Sequence, residues 1–231
     1  MLIFLIILFS PIFALAFLPI KSKNRNLYYA ISVLISISSI ILSFYCEINT
    51  SYSYDPLEFV ITIDRFSKIF LILISCSWLI SIIYSYEFTK YHFQKKKTEF
   101  FLYLNILLSV AMINACAGNL TTLFVFYVIG IPLTYPLIKI RGNPASIIAG
   151  KNFIKQTIVP SFVIFLPAIL ITQNLIGHGT FDETGTLGSN NISPMFGGVL
   201  LFMFIIGISK NSVFPFHTWL PGTNPAPAPV S

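Results

Sequence analysis

Among the 231 residues of this chain, Lys210 is the one whose position most demands a chemical reason. It closes a long apolar run that begins near Met195. The stretch GISKNSVFPFHTWLP at 207–221 then adds Pro215, Pro221 and His217 just beyond it. An ammonium inside hydrocarbon costs roughly 3 kcal/mol or more unless it faces a polar interior. Desolvation also favours the neutral amine, which suits a group that takes up and releases protons. Pro215 is expected to end or break the run, and broken helices beside intramembrane charges are where transporters place their sites. His217, roughly two helical turns past Lys210, is a candidate proton relay. The competing reading is that Lys210 snorkels along its helix to the interface. If the segment runs on to about residue 220, Lys210 lies near its middle; if it stops at Pro215, snorkelling is natural. Both readings stay open on residue types alone.

The elements that must position such a lysine are membrane helices. Apolar residues make up 55% of the chain and charged residues only 10%, with a mean hydropathy of +0.82. A soluble core would need a larger charged shell. A helix crossing ~30 Å of hydrocarbon needs ~20 mostly apolar residues. Seven runs qualify, at about 1–20, 27–46, 67–86, 100–117, 119–138, 156–176 and 195–214. The expected class is therefore an all-α polytopic membrane protein. The first run lacks a basic leader and passes straight into KSKNR, so it reads as a retained helix rather than a cleaved signal. Pro132 and Pro136 in run five and Pro215 in run seven predict breaks there; Pro160 and Pro167 predict an ordinary kink in run six.

Charge between the runs sets the orientation. Lys21, Lys23 and Arg25 follow run one. Lys90, Lys95, Lys96 and Lys97 follow run three, and Lys139, Arg141, Lys151 and Lys155 follow run five. These eleven of the fourteen basic residues fall on one side of the alternation. Glu47, Asp55, Glu58, Asp64, Asp182 and Glu183 fall on the other. The positive-inside rule places the N-terminus outside and the tail after run seven inside.

Other chemistries are poorly supported. The KKK cluster at 95–97 is better read as a topology signal than as a nucleic-acid site. Cys46, Cys76 and Cys116 have neither zinc nor disulfide spacing and read as small buried hydrophobes. No glycine-rich phosphate loop or dinucleotide fingerprint occurs, so no cofactor is expected.

The segment GISKNSVFPFHTWLPGTNPAPAPVS resembles a motif of the antiporter-like membrane subunits shared by respiratory complex I, in its L, M and N type subunits, and the multisubunit Mrp cation/proton antiporters. GNLTTLFVFYVIGIPLTYPLI is similar to the fifth helix of that family, and TYPL with NPAPAPVS leans toward the D-type Mrp subunit. The resemblance runs along essentially the whole chain in helix order. It implies that Lys210 is the central proton carrier, with Phe216, His217 and Trp219 in the motif and the helix break at Pro215. It also implies an acidic partner on the fifth helix. That position is Val128 here, and the motif's aspartate after WLP is Gly222.

The family is built from two inverted repeats, and the second carries the other half of the ion path. The resemblance divides this chain into residues 1–118, with the first four helices, and residues 119–231, the start of the repeat region. Ser231 falls where the eighth helix would begin, so the expectation is a truncated proton- or cation-translocating subunit, inactive alone. Its partners would be the lipid bilayer and other subunits of a membrane complex, one carrying the later helices, with no nucleic acid. Any NADH, flavin or iron–sulfur chemistry would lie on those other subunits. The expected location is a bacterial inner membrane. A noncatalytic remnant of a split gene is the alternative, and an unrelated small permease a third.

The orientation has a direct check. In intact cells, Lys96→Cys and Asn143→Cys should stay shielded from an impermeant external thiol reagent while Ser189→Cys labels. Labelling at Lys96→Cys would reverse the topology.

Overall fold

Apolar runs separated by short polar links fold into consecutive antiparallel helices. The computed structural model describes residues 2–16, 25–48, 50–54, 59–92, 97–176, 179–181, 193–223 and 226. Lys21, Lys23, Lys95, Lys96, Asp55, Glu58, Asp182 and Glu183, which carry part of the orientation argument, lie outside them. The order is α1 (Leu2–Leu15), α2 (Arg25–Tyr45), β1 (Thr50–Tyr54), β2 (Phe59–Ile63), α3 (Arg65–His92), α4 (Lys97–Ala115) and α5 (Leu120–Ile138). There follow α6 (Pro144–Pro160), a π-turn (Ser161–Phe165), α7 (Leu166–Ile176), α8 (Pro194–Gly207), a 3₁₀ turn (Ser209–Asn211) and α9 (Trp219–Gly222). Arg65–Phe88, Leu120–Arg141 and Pro144–Leu175 are long and apolar enough to cross a membrane; Tyr29–Tyr45, Glu99–Ala115 and Pro194–Gly207 are shorter apolar helices.

Serines set the close approach of α2 and α3. Ser32, Ser36, Ser39 and Ser43 are all buried, and their spacing puts them on one face of α2. Small side chains let helix backbones approach closely where hydrocarbon supplies no hydrophobic drive. Three of the hydroxyls are satisfied locally or across the interface: Ser36 donates to the Val33 carbonyl at 2.8 Å, Ser43 donates to the Ser39 carbonyl at 2.7 Å, and the Ser39 and Ser75 hydroxyls meet at 3.1 Å, whereas the buried Ser32 hydroxyl has no partner among the described residues. Deeper, Trp78 Nε1 donates to Asn105 Oδ1 at 3.1 Å, tying α3 to α4.

The helical expectation needs one addition. The link after α2 is a β-hairpin, TSYSY paired antiparallel with FVITI from Thr50↔Ile63 to Tyr54↔Phe59. Tyr, Thr, Val and Ile favour the pleated conformation. The hairpin is extended by the α4–α5 link: Thr62 N–H donates to the Cys116 carbonyl and Gly118 N–H to the Val60 carbonyl, each at 2.8 Å. The segment at 179–181 joins through Leu120 N–H to the Gly179 carbonyl and Phe181 N–H to the Gly118 carbonyl. Three links at one end of the bundle are thus knitted together, with Cys46 and Cys116 buried in the apolar cluster beneath.

The proline expectations are redistributed. Helix five is unbroken, because α5 runs continuously through Pro132 and Pro136. Pro132 is exposed on that helix. The irregularity falls in run six, where the π-turn follows Pro160. That run also starts earlier than its apolar stretch implies. Gly142 ends a 3₁₀ turn over Lys139–Arg141 at φ 73°, Asn143 caps α6 by accepting from Ser146 N–H, and Pro144 occupies its first turn. Lys151 and Lys155 therefore stand exposed on a helix rather than in a loop.

Gly207 is where α8 meets the π-turn. A Cβ there would lie 2.6 Å from Phe165 Cβ and 2.7 Å from Phe165 Cα, whereas one at Gly197 would meet nothing within 4 Å. Overpacking of this kind costs about 1–3 kcal/mol. Gly207→Ala should lower the unfolding free energy in detergent by that amount, and Gly197→Ala should not. Equal effects of the two would show that the backbones do not touch.

Candidate functional site

The break in run seven begins before Lys210, not at Pro215. Regular α8 ends at Gly207; Ile208 leaves the helix at φ −80° and ψ 64°, and Ser212 turns left-handed at φ 54°. Pro215, after a cis peptide, lies exposed among turns that lead to α9. The cause is local packing. The close Gly207–Phe165 contact brings the chain onto the α6–π junction. There the Ser209 hydroxyl donates to the Thr157 carbonyl at 3.1 Å, and Trp219 Nε1 donates to the Ser209 carbonyl at 3.2 Å. Trp219 also packs edge-on to Phe153 of α6 at 5.1 Å between centroids.

These contacts aim Lys210 at the middle of α5. Its backbone N–H donates to the Tyr127 hydroxyl at 3.2 Å, and its Nζ stands 5.2 Å from the Tyr127 ring centroid. A Cβ on Gly130 would lie 3.0 Å from that Nζ. Gly130 is ten residues from the start of α5 and eight from its end, about 15 Å and 12 Å along the axis. The Lys210 Nζ therefore packs against the middle of α5, a neighbouring helix, rather than beyond its end.

Tyr127, Gly130 and Thr134 form the face of α5 turned to this site, at the spacing that aligns successive turns. A cavity of about 290 Å³ opens beside the lysine, lined among others by Leu107, Thr134, Ile138, Lys210, Trp219 and Thr223. Thr134 is held by its own bond to the Gly130 carbonyl at 2.8 Å. Among the described residues no carboxylate bears on the ammonium. Val128 is half-buried against the apolar cluster of α5, α6 and α7. His217 is exposed, and its described ring contact is Phe214 at 5.8 Å. The chain turns between Lys210 and His217, so the helical spacing expected for a relay does not hold. Reasoning from residue types misses Tyr127 and Gly130; the signal that marks them is their i, i+3, i+7 register with Thr134.

Residues 117–231 match the family described as NADH:quinone oxidoreductase/Mrp antiporter, transmembrane. The chain belongs to the antiporter-like membrane-subunit family of NADH:quinone oxidoreductases and Mrp antiporters. NADH-quinone oxidoreductase subunit M of Rickettsia typhi is 31% identical over 229 residues, covering 91% of this chain and 44% of the relative. Chloroplastic NAD(P)H-quinone oxidoreductase subunit 5 of Piper cenocladum is 27% identical over 190 residues, covering 80% of this chain and 25% of the relative. The chain thus spans a quarter to under a half of these relatives. A chain of the membrane-bound sulfane sulfur reductase, an archaeal respiratory membrane complex, shares the fold with a TM-score of 0.77. That match is 19% identical, over 98% of this chain and 48% of that one.

The Tyr127 contact can be dissected. Tyr127→Phe keeps the ring and removes the acceptor of a partly buried amide, at a cost of about 1–3 kcal/mol. Tyr127→Leu also removes the ring facing Lys210 and Phe165 and should cost more. Unaltered unfolding of Tyr127→Phe in detergent would contradict the Lys210 amide bond.

Proposed function

We propose that this chain is the Lys210-bearing part of a proton- or cation-translocating membrane subunit, working in an NADH:quinone oxidoreductase or Mrp-type assembly. The observation that carries the reading is an ammonium at mid-depth, beside a cavity, at a break in its helix. That combination supports a group which exchanges ions with water inside the bundle. Seven membrane crossings with the N-terminus outside fit the apolar runs and the basic links. A bacterial inner membrane fits the Rickettsia relative. Translocation would need further helices, in this or another polypeptide, because a path must reach both faces. The family's second repeat supplies the other half, and Lys210 with Thr134 and Tyr127 serves one half only. Pro215 holds the turns between Lys210 and α9, and His217 would act in relay only after moving from its exposed position.

A noncatalytic structural role is the second reading, favoured by one observation: Val128 replaces the acid that the family pairs with this lysine, and no described carboxylate takes over. The two readings part on flux. In the assembled complex, Lys210→Ala should reduce coupled proton or cation movement by about a hundredfold or more, as expected for loss of a proton-transfer group. The 231 residues alone in liposomes should dissipate an imposed pH gradient no faster than their Lys210→Ala variant. Unchanged flux in the complex would favour the structural role.

A further inference from the structure

The exposed face of α6 carries charge that the rest of the chain does not answer. Ala149, Gly150, Phe153 and Thr157 are buried on the packed side of this helix. The other side begins at Ile148 and continues through Lys151, Asn152, Lys155, Val159, Phe162 and Val163, all exposed. Their spacing of three and four residues puts them on one helical face. That face changes character once along its length. Its polar groups lie toward Pro144, at the end of the bundle that carries Lys139 and Arg141, and Val159, Phe162, Val163 and Leu170 beyond them are exposed and apolar. Gln156, at the edge of the face, accepts a hydrogen bond from Thr218 at 2.9 Å, so the turns before α9 border it.

No described ion pair or hydrogen bond reaches the ammonium of Lys151 or Lys155. The sequence gives the reason. Between Glu99 and Ser231 its only acidic residues are Asp182 and Glu183, which follow α7 at the far end of the α6–α7 span from these lysines. A counter-charge for this face therefore has to come from outside the second half of the chain. Geometry says where it should lie. The Cα–Cβ bonds of a helix lean toward its N-terminus, so both lysines lean toward Pro144. Their stems can cover apolar surface while the ammoniums reach toward the polar layer. The two residues are one turn apart, about 6 Å along the axis. A single phosphate group can bridge that separation, with charge-assisted hydrogen bonds of about 2.8 Å to each ammonium.

We propose that this face of α6 binds an anionic phospholipid of the leaflet at the basic end. Lys151 and Lys155 hold its phosphate between them, the Asn152 amide donates to another headgroup oxygen, and the acyl chains lie along Val159, Phe162 and Val163. The single passage from cationic to apolar along one face matches a molecule that is anionic at one end and hydrocarbon at the other. Basic groups beside a membrane helix on the side that faces anionic lipid each add to that attraction. A zwitterionic lipid also brings a phosphate, but its own cation offsets the charge the lysines attract. The site does not depend on how Lys210 is used.

Brominated lipids read the site in bilayers. Val159→Trp places a fluorescent reporter one turn beyond Lys155 on the same face, and the parent chain with Trp78 and Trp219 sets the background. The full chain is reconstituted in phosphatidylcholine vesicles that contain either brominated phosphatidylglycerol or brominated phosphatidylcholine. Quenching of the added fluorescence should favour the anionic lipid by about fivefold or more. Lys151→Gln together with Lys155→Gln should reduce that preference to about twofold or less, whereas Lys151→Arg together with Lys155→Arg should retain it. A reporter on the exposed face of α2, Leu34→Trp, should show no such preference. A preference unmoved by the glutamine pair, or lost in the arginine pair as well, overturns the site. An equal preference at Leu34→Trp overturns it in favour of a general attraction by the net charge of the chain. In the assembled complex the glutamine pair should leave the subunit composition unaltered; loss of a subunit would give the face to an acidic protein chain and overturn the lipid site.

Discussion

The lysine ammonium set against the middle of α5 is the constraint around which the second half of this chain is arranged. A charge at that depth costs roughly 3 kcal/mol or more, and a desolvated cation–π contact returns about 2 kcal/mol. Tyr127 therefore does not offset the charge by itself. With no described carboxylate in reach, the remainder must come from the cavity beside Thr134. Its volume of about 290 Å³ gives room for several water molecules, each of which occupies ~30 Å³ in the liquid. An apolar side chain at 210 would avoid that cost altogether.

Reaching that position forces the irregularities nearby. α8 has 14 residues, about 21 Å of helix, too short to cross the hydrocarbon. The chain leaves the helix at Ile208, which frees the Lys210 amide to bond Tyr127 rather than its own helix. The π-turn after Pro160 presents Phe165 to Gly207, and the Thr157 carbonyl at that junction receives the Ser209 hydroxyl. Each irregular segment thus gives its freed backbone groups to the next, as irregular backbone must where water is scarce. At the opposite end, the hairpin and the links at 116–119 and 179–181 satisfy one another's amides in the same way.

Much of this is legible in the amino-acid sequence. Helix-length apolar runs and their order follow from hydropathy, and the cost of a buried charge singles out Lys210. The hairpin does not follow, because TSYSY and FVITI are short and lie between acidic residues that read as a loop. The proline signals mislead for a physical reason. Pro132 faces outward on α5 and is tolerated, whereas Pro160 sits where α8 packs, so only the second site carries a π-turn. Pro215 is the strongest local breaker in run seven, yet a tertiary contact at Gly207 ends the helix eight residues earlier. Tyr127 and Gly130 carry no charge that would mark them at neutral pH; their role appears only once α5 and α8 are packed together.

The depth and partner of the lysine can be measured directly in bilayers. Solid-state NMR on chain carrying ¹⁵Nζ-lysine and ¹³Cα-glycine should show a short Nζ–Cα dipolar contact that disappears in both Lys210→Met and Gly130→Ala. A Lys210 Nζ close to lipid phosphorus, without that glycine contact, would place the ammonium at the interface and contradict the account.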